Sequence, residues 1–325
     1  MKKIIAVIVS VIMVLSLFAG CGNSSTSADV DYEIAIVQQL EHASLDEIRT
    51  AIKAQLEAIA AEKGITIHVE EFNGQNDTTV LNQIGAQVVS DEYDAIIPIA
   101  TLAAQCMVTA AEGTDIPIIY AAISDPEGAG LTDIANVTGV SDALNTAFIL
   151  DMMFAVNPDI QTVGLLYSNS EPNSAAPIAE AKEYLDAKGI AYLEKTGNAA
   201  DEVLSAANAL VDRCDAVFTP TDNAVMNVAG AVAEILNEAG IPHYAGADSF
   251  VSAGAFATCG VNYTELGTYT ADMAMNILLG GEIPEFHVMD GGIITVNTET
   301  AAALSLDYSA FSAMANTIKE VTTAE

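Results

Sequence analysis

Asp94-Ala95-Ile96-Ile97-Pro98-Ile99 is followed, 121 residues later, by Asp215-Ala216-Val217-Phe218-Thr219. Each is an aspartate opening a short β-rich run, and each stands at the same place in a series of alternating strands and helices. Flanking pairs repeat with them: Gly64-Ile65 matches Gly189-Ile190, and Ile116-Pro117 matches Ile241-Pro242, each at an offset of 125 residues. Short β-rich runs alternating with helical stretches predict parallel α/β sheets. A repeat this long cannot be a short-period solenoid, and it describes two similarly wound domains.

Working outward, the first copy holds strands at 34–38, 65–72, 95–99 and 117–121, with helices at 45–63, 78–90 and 102–112 between them. The first helix carries Leu45, Ile48, Ile52, Leu56 and Ile59 at three-to-four spacing, one stripe to lay on a sheet, and Gly64 ends it. The second copy holds strands at 163–167, 191–195, 216–219 and 243–246, with helices at 175–188, 202–211 and 224–238. Residues 136–142 lie between the copies. Strand 255–261, helix 264–280 and strand 293–297 then carry the chain back, over and back again. The expected fold class is therefore α/β, two Rossmann-like parallel-sheet domains joined by three crossovers. The N-terminal lobe is 32–140 plus 262–292, and the C-terminal lobe is 141–261 plus 293–325. Such a clamshell has its cleft at the carboxyl ends of both sheets, where open α/β sheets bind ligands.

Ahead of these lobes, Lys2 and Lys3 precede an uninterrupted apolar stretch from Ile4 to Phe18. Its length and position suit an export signal better than a membrane span. It ends in Leu17-Phe18-Ala19-Gly20-Cys21, small residues before a cysteine, and then the polar run Gly22-Asn23-Ser24-Ser25-Thr26-Ser27. This resembles the bacterial lipobox, with Phe18 where an aliphatic residue is commoner. The expectation is a signal peptide at 1–20, lipidation at Cys21 and a flexible tether over 21–31, placing the protein outside the cell membrane and anchored to it.

The formal charge is −34, and a surface so acidic repels nucleic acid. Hydrophobic residues make up 51% of the chain, so it is globular and not disordered. Cys106, Cys214 and Cys259 share no CxxC spacing and no histidine partner, and they read as small buried residues. Neither a phosphate-binding glycine loop nor a GxSxG elbow occurs. No cofactor, metal or enzymatic activity is expected, and a monomer is.

Polar residues collect just past the strands: Gln38, His42 and Ser44 after the first, Thr101 after the third, Ser124 after the fourth. In the second copy they are Asn169 and Asn173, then Asp222 and Asn223, then Asp248. Thr101, Ser124 and Asp222 each precede a helix, where a side-chain oxygen can simply cap backbone N–H groups. Helix starts also suit an anionic ligand group. Hydroxyls on one lobe and carboxylates on the other would fit a zwitterion: Thr101 and Ser124 for a carboxylate, Asp222 and Asp248 for an ammonium. Tyr167 and Asn169 are placed to meet the ligand's side chain, with Gln38, Ser44, Leu102 and Asn223 completing the candidate set. His42 reads as capping or packing ahead of ligand contact, and core packing is the alternative at Tyr167.

These stretches carry a family resemblance. They are His42-Ala43-Ser44-Leu45-Asp46, Ala100-Thr101-Leu102-Ala103-Ala104-Gln105, Ala122 to Leu131, Asn136 to Asp142, Tyr167 to Ser174 and Pro220-Thr221-Asp222-Asn223. In order and spacing the chain resembles the ABC-transporter substrate-binding family that includes tryptophan- and tyrosine-type binding lipoproteins, with the type I periplasmic-binding fold. Ala43 and Leu102 stand where prolines are common in that family. The resemblance implies a lipid-anchored receptor that captures a small solute, an aromatic amino acid foremost, and delivers it to a permease with a cytoplasmic ATPase. A nucleoside, sugar or peptide receptor of the same fold, or a ligand sensor uncoupled from transport, is the alternative.

Overall fold

The structure is a computed structural model that describes residues 30–324. The expected signal peptide, the lipidation site at Cys21 and all but the end of the tether lie outside the described residues. From Val30 onward two sheets form. The first contains β1 (Tyr32–Gln38), β2 (Ile67–Asn73), β3 (Ala95–Ile99), β4 (Ile118–Ala121) and β5 (Val137–Ser141), with the short β11 (His287–Val288) at one edge. Its order is β11-β5-β4-β3-β1-β2, and every pairing is parallel. The second contains β6 (Thr162–Tyr167), β7 (Ala191–Thr196), β8 (Ala216–Thr219), β9 (His243–Ala245), β10 (Ala257–Gly260), β12 (Ile293–Asn297) and β13 (Thr317–Val321), in the order β13-β12-β10-β9-β8-β6-β7.

The repeat that decides the fold turns out to be a set of structural joints. Asp94 accepts the Glu33 N–H at 2.7 Å, fixing the start of β1 against β3. In the second sheet Asp215 accepts the N–H groups of Gln161 and Thr162 at 2.8 and 2.9 Å, fixing the start of β6 in the same way. Ile96 N–H donates to the Pro117 carbonyl and Val217 N–H to that of Pro242, both at 3.0 Å. Gly64 and Gly189 end helices α1 (Ala43–Lys63) and α5 (Ala175–Lys188), each with φ of 68°, the left-handed turn that costs glycine little.

Both faces of each sheet are covered. Along β1, Ile34 and Ile36 pack into one core with α1, while Ala35 and Val37 pack into another with Leu81 and Val88 of α2 (Thr78–Ser90) and Ala103 and Met107 of α3 (Thr101–Ala110). The second sheet alternates likewise, with Val163 and Leu165 on one side and Leu166 on the other. The chain passes between sheets three times: after β5, between β10 and α10 (Tyr263–Leu278), and between β11 and β12. Helix α10 lies against α1 so closely that a methyl at Gly267 would come within 2.6 Å of the Ile48 carbonyl oxygen.

Several features depart from the sequence expectation. Residues 136–142, read as an inter-copy segment, supply β5 of the first sheet. The single helix expected over 224–238 is two, α7 (Asn223–Met226) and α8 (Ala229–Glu238), broken at Val228 with φ of −125°. Finally, β12 runs antiparallel to β10, so the second sheet is not purely parallel. Unexpected helices are α4 (Thr146–Val156), α9 (Asp248–Ser252) and α11 (Thr298–Ala303), and the remaining helix is α6 (Ala200–Asn208).

Candidate functional site

Where the carboxyl ends of the two sheets face each other, a narrow chamber closes over, with about 30 Å³ of room for a water-sized molecule. The first-sheet side contributes His42, Ser44, Leu45, Ala100, Thr101, Ala122, Ser124 and Asp142. The second contributes Asn173, Thr221, Asp222, Asn223, Met226, Ala247 and Phe250, and Tyr263 comes from the crossover at the start of α10. Four hydrogen-bonded pairs join the sides: Gln39 to Glu171 at 3.1 and 3.3 Å, His42 to Asn223 at 2.9 Å, Ser44 to Ser249 at 2.5 Å and Ser124 to Thr221 at 3.0 Å. The clamshell is therefore shut.

Five of the ten sequence-predicted site residues line this chamber: Ser44, Thr101, Ser124, Asp222 and Asn223. Thr101 is the first residue of α3 and not its cap. The preceding Ala100 has φ of 75° and no side-chain cap, and the buried Thr101 hydroxyl has no partner among the described residues. Ser124 donates to Asp142 at 3.0 Å instead of capping a helix. Asp222, by contrast, is a cap. Fully buried, it accepts the Val225 N–H at 2.9 Å, the Ser168 N–H at 2.7 Å and the Ser174 hydroxyl at 2.7 Å.

The other five stand apart from the chamber. Gln38 donates to the Leu40 carbonyl and to Asp46, holding the loop after β1. Leu102 gives its backbone N–H to the Gln39 side chain at 3.1 Å. The Tyr167 hydroxyl reaches Glu194 on β7 at 2.8 Å, and Asn169 donates to Thr196 at 3.1 Å, so both engage the neighbouring strand. Asp248 pairs with Lys319 at 3.1 Å on β13. Each has found a partner within its own lobe.

Sequence reasoning passed over Asp142 and underweighted His42. Asp142 sits one residue past β5, buried, with the Ser124 hydroxyl at 3.0 Å, the Tyr263 hydroxyl at 3.3 Å and its own backbone N–H on its carboxylate, and no cation. Burial pushes its pKa up, against those bonds. A carboxylate can accept about four hydrogen bonds, so this one is under-supplied. Its signal was a lone aspartate at a strand end, hidden because the strand itself was not read.

His42 is tied across the cleft. Asn223 donates its amide N–H to Glu171 at 2.7 Å, which turns its carbonyl oxygen toward His42 Nε2 at 2.9 Å. Burial lowers the His42 pKa, so the ring is neutral. Nε2 then carries the proton, and Nδ1 is an unpartnered acceptor. Asn173 is similar: its amide donates to the Thr221 carbonyl at 2.5 Å, and its own oxygen is left without a donor. Beside them Glu171 is raised to about 7, first by burial and then by the Asp222 carboxylate. The residues lining the chamber thus carry one buried carboxylate bonded only by neutral groups and poorly supplied beside Asp222, two unmet acceptors and one unmet hydroxyl, with Leu45, Met226, Ala247 and Phe250 as the apolar wall. Among the described residues no cluster suits a metal ion. Cys106, Cys214 and Cys259 are all free.

A family model described as ABC transporter substrate binding protein matches residues 33–317. A tyrosine-binding protein of Clostridioides difficile is 31% identical over 322 residues, covering 94% of this chain and 93% of the relative. The crystal structure of an ABC domain in complex with L-Trp from Streptococcus pneumoniae superposes with a TM-score of 0.81 at 28% identity, over 88% of this chain and 99% of that one. A ligand-free, open substrate-binding protein with adhesive properties from Clostridium difficile gives 0.68 at 32% identity, over 90% and 100%. The better match to the ligand-bound structure, despite lower identity, agrees with the cross-lobe bonds.

Proposed function

The chain belongs to the ABC transporter substrate-binding protein family and is a solute receptor, not an enzyme, and we propose that its cargo is an aromatic amino acid, held between the lobes and handed to a permease. The carrying observation is the set of unmet polar groups in one closed chamber. A zwitterion supplies what they lack. Its ammonium suits the under-supplied Asp142 carboxylate, because a buried charge needs an opposite charge beside it. Its carboxylate suits the Thr101 hydroxyl at the start of α3, where the capping residue Ala100 has no side-chain oxygen and Gln39 accepts the Leu102 N–H. A flat apolar side chain suits the wall of Leu45, Met226 and Phe250.

Asp222 enters this reading as a support and not as the ammonium's partner. Its carboxylate already accepts three hydrogen bonds, so a cation there would compete with the start of α7. Closure follows from the geometry: both lobes touch the cargo only when shut, so ligand shifts the equilibrium toward the closed state. The tyrosine and tryptophan named for the two relatives support an aromatic cargo. The sequence from Lys2 to Cys21 supports export and lipid anchoring at Cys21, with the permease and its cytoplasmic ATPase as partners.

The test is thermal melting against the twenty amino acids, several nucleosides and several sugars. Ligand at a hundred times its Kd adds about 2.7 kcal/mol. A shift confined to tyrosine, tryptophan or phenylalanine is expected. A shift with a nucleoside or sugar alone refutes the zwitterion site. Loss of palmitate incorporation in Cys21→Ala tests the anchor.

A further inference from the structure

We infer that His42 selects, among the aromatic amino acids proposed above as cargo, those whose ring carries a hydrogen-bond donor. Tyrosine with its hydroxyl and tryptophan with its indole N–H qualify, and phenylalanine does not.

The amide of Asn223 is held at both ends. Its N–H donates to Glu171 at 2.7 Å, and its oxygen faces His42 Nε2 at 2.9 Å. A carbonyl oxygen can only accept, which places the ring proton on Nε2 and leaves Nδ1 as a lone pair. Nδ1 is buried and has no partner among the described residues. His42 thus presents an acceptor that only a donor can satisfy. The relay crosses the cleft, since Glu171 and Asn223 belong to the second-sheet side and His42 to the first. Tautomer and closure are consequently set together.

The position of His42 makes the ring, and not the ammonium, its natural partner. The ammonium is drawn to the full charge of Asp142, which is bonded to Ser124 and Tyr263. His42 stands at the start of α1 beside Ser44 and Leu45. Ser44 faces Ser249 across the cleft at 2.5 Å, and Ser249 in turn touches Met226 at 3.3 Å. Leu45, Met226 and Phe250 are the apolar wall on which a ring would lie. A phenyl ring there leaves Nδ1 unmet, and a site built to bond a donor discriminates against the analogue that lacks it.

Calorimetric titration of the wild-type protein tests this without any mutation. Tyrosine and 4-aminophenylalanine carry a ring donor, whereas phenylalanine and 4-fluorophenylalanine do not. Tryptophan and 1-methyltryptophan form the second pair. The donor-bearing member of at least one series is expected to bind about tenfold more tightly or better. In His42→Leu the donor-bearing ligands weaken and the preference falls toward unity. Phenylalanine binding within twofold of both tyrosine and tryptophan would overturn the inference, as would a preference that survives His42→Leu. Equal weakening of tyrosine and phenylalanine by that substitution would also overturn it, by assigning His42 to the ammonium. Failure of every aromatic amino acid to bind would instead refute the cargo reading on which the inference rests.

Discussion

Replacing Asp142 by asparagine separates the ammonium site from the scaffold. The change keeps the shape and removes the charge. In the empty closed protein that charge is poorly supported, with two neutral hydroxyls at 3.0 and 3.3 Å and a pKa pushed up by burial. Asp142→Asn should therefore leave the unliganded protein as stable as before, or slightly more stable, because a buried carboxylate without a counter-charge is a cost. Binding should respond in the opposite direction. Removing one partner of a buried charge pair costs 2–5 kcal/mol, so about 3 kcal/mol, or roughly a hundredfold in Kd, is expected. Titration calorimetry gives the affinity and a melt without ligand gives the stability. Asp222→Asn is the contrast: it disturbs the bonds that Ser168 and Ser174 give to one carboxyl oxygen and should lower stability by about 1–3 kcal/mol even without ligand. Wild-type affinity in Asp142→Asn would refute the assignment. So would an Asp222→Asn protein that melts normally and cannot bind.

Two further outcomes follow from groups away from the ammonium. Glu171 has its pKa raised to about 7 by burial, with the Asp222 carboxylate adding to the effect and the amides of Gln39 and Asn223 opposing it. A carboxyl raised above its ordinary range penalises the closed state fully above pH 7, and the penalty is relieved as pH falls through 7 toward that range. Tm should accordingly rise between pH 8 and pH 6, and Glu171→Gln should raise Tm at pH 8 and flatten that slope. An unchanged slope would dissociate Glu171 from it. Gly267→Ala should destabilise by about 1–3 kcal/mol through overpacking, since its methyl would meet the Ile48 carbonyl oxygen at 2.6 Å and the Ala51 side chain at 2.8 Å. Chemical denaturation would register this, and an unaltered midpoint would show that α10 and α1 can slide apart freely.

Much of this architecture is legible in the residues because local chemistry and global packing agree there. Helix α2 is readable to the residue: Asp77 accepts the N–H groups of Thr79 and Val80, and the apolar stripe behind it is unbroken. Helix α5 is equally plain, closed by Gly189. The break between α7 and α8 is not readable, because Ala224, Val225, Val228 and Val232 keep an apolar pattern running straight through it. Strand ends point to half of the chamber. They mislead at Tyr167 and Asn169, where β7 is adjacent and its Glu194 and Thr196 are the nearer partners. Asp142 is hidden for a different reason: the strand before it, Val137-Thr138-Gly139-Val140-Ser141, carries a central glycine and lacks the apolar run that marks β3 and β4. No pattern within one copy announces that Glu171 and His42 communicate through Asn223, since that relay exists only once two distant loops meet.

Three of the four bonded pairs that close the lobes, Ser44 to Ser249, Ser124 to Thr221 and His42 to Asn223, join uncharged groups. Every ion pair among the described residues lies within one lobe. Ionic strength has little purchase on such a fastening, because screening weakens attraction between charges and leaves neutral contacts alone. For a chain of formal charge −34, dissolved salt acts instead on the mutual repulsion of two acidic halves, which it softens. Brine and dilute medium should find the same grip on the cargo, with any drift toward tighter holding in brine.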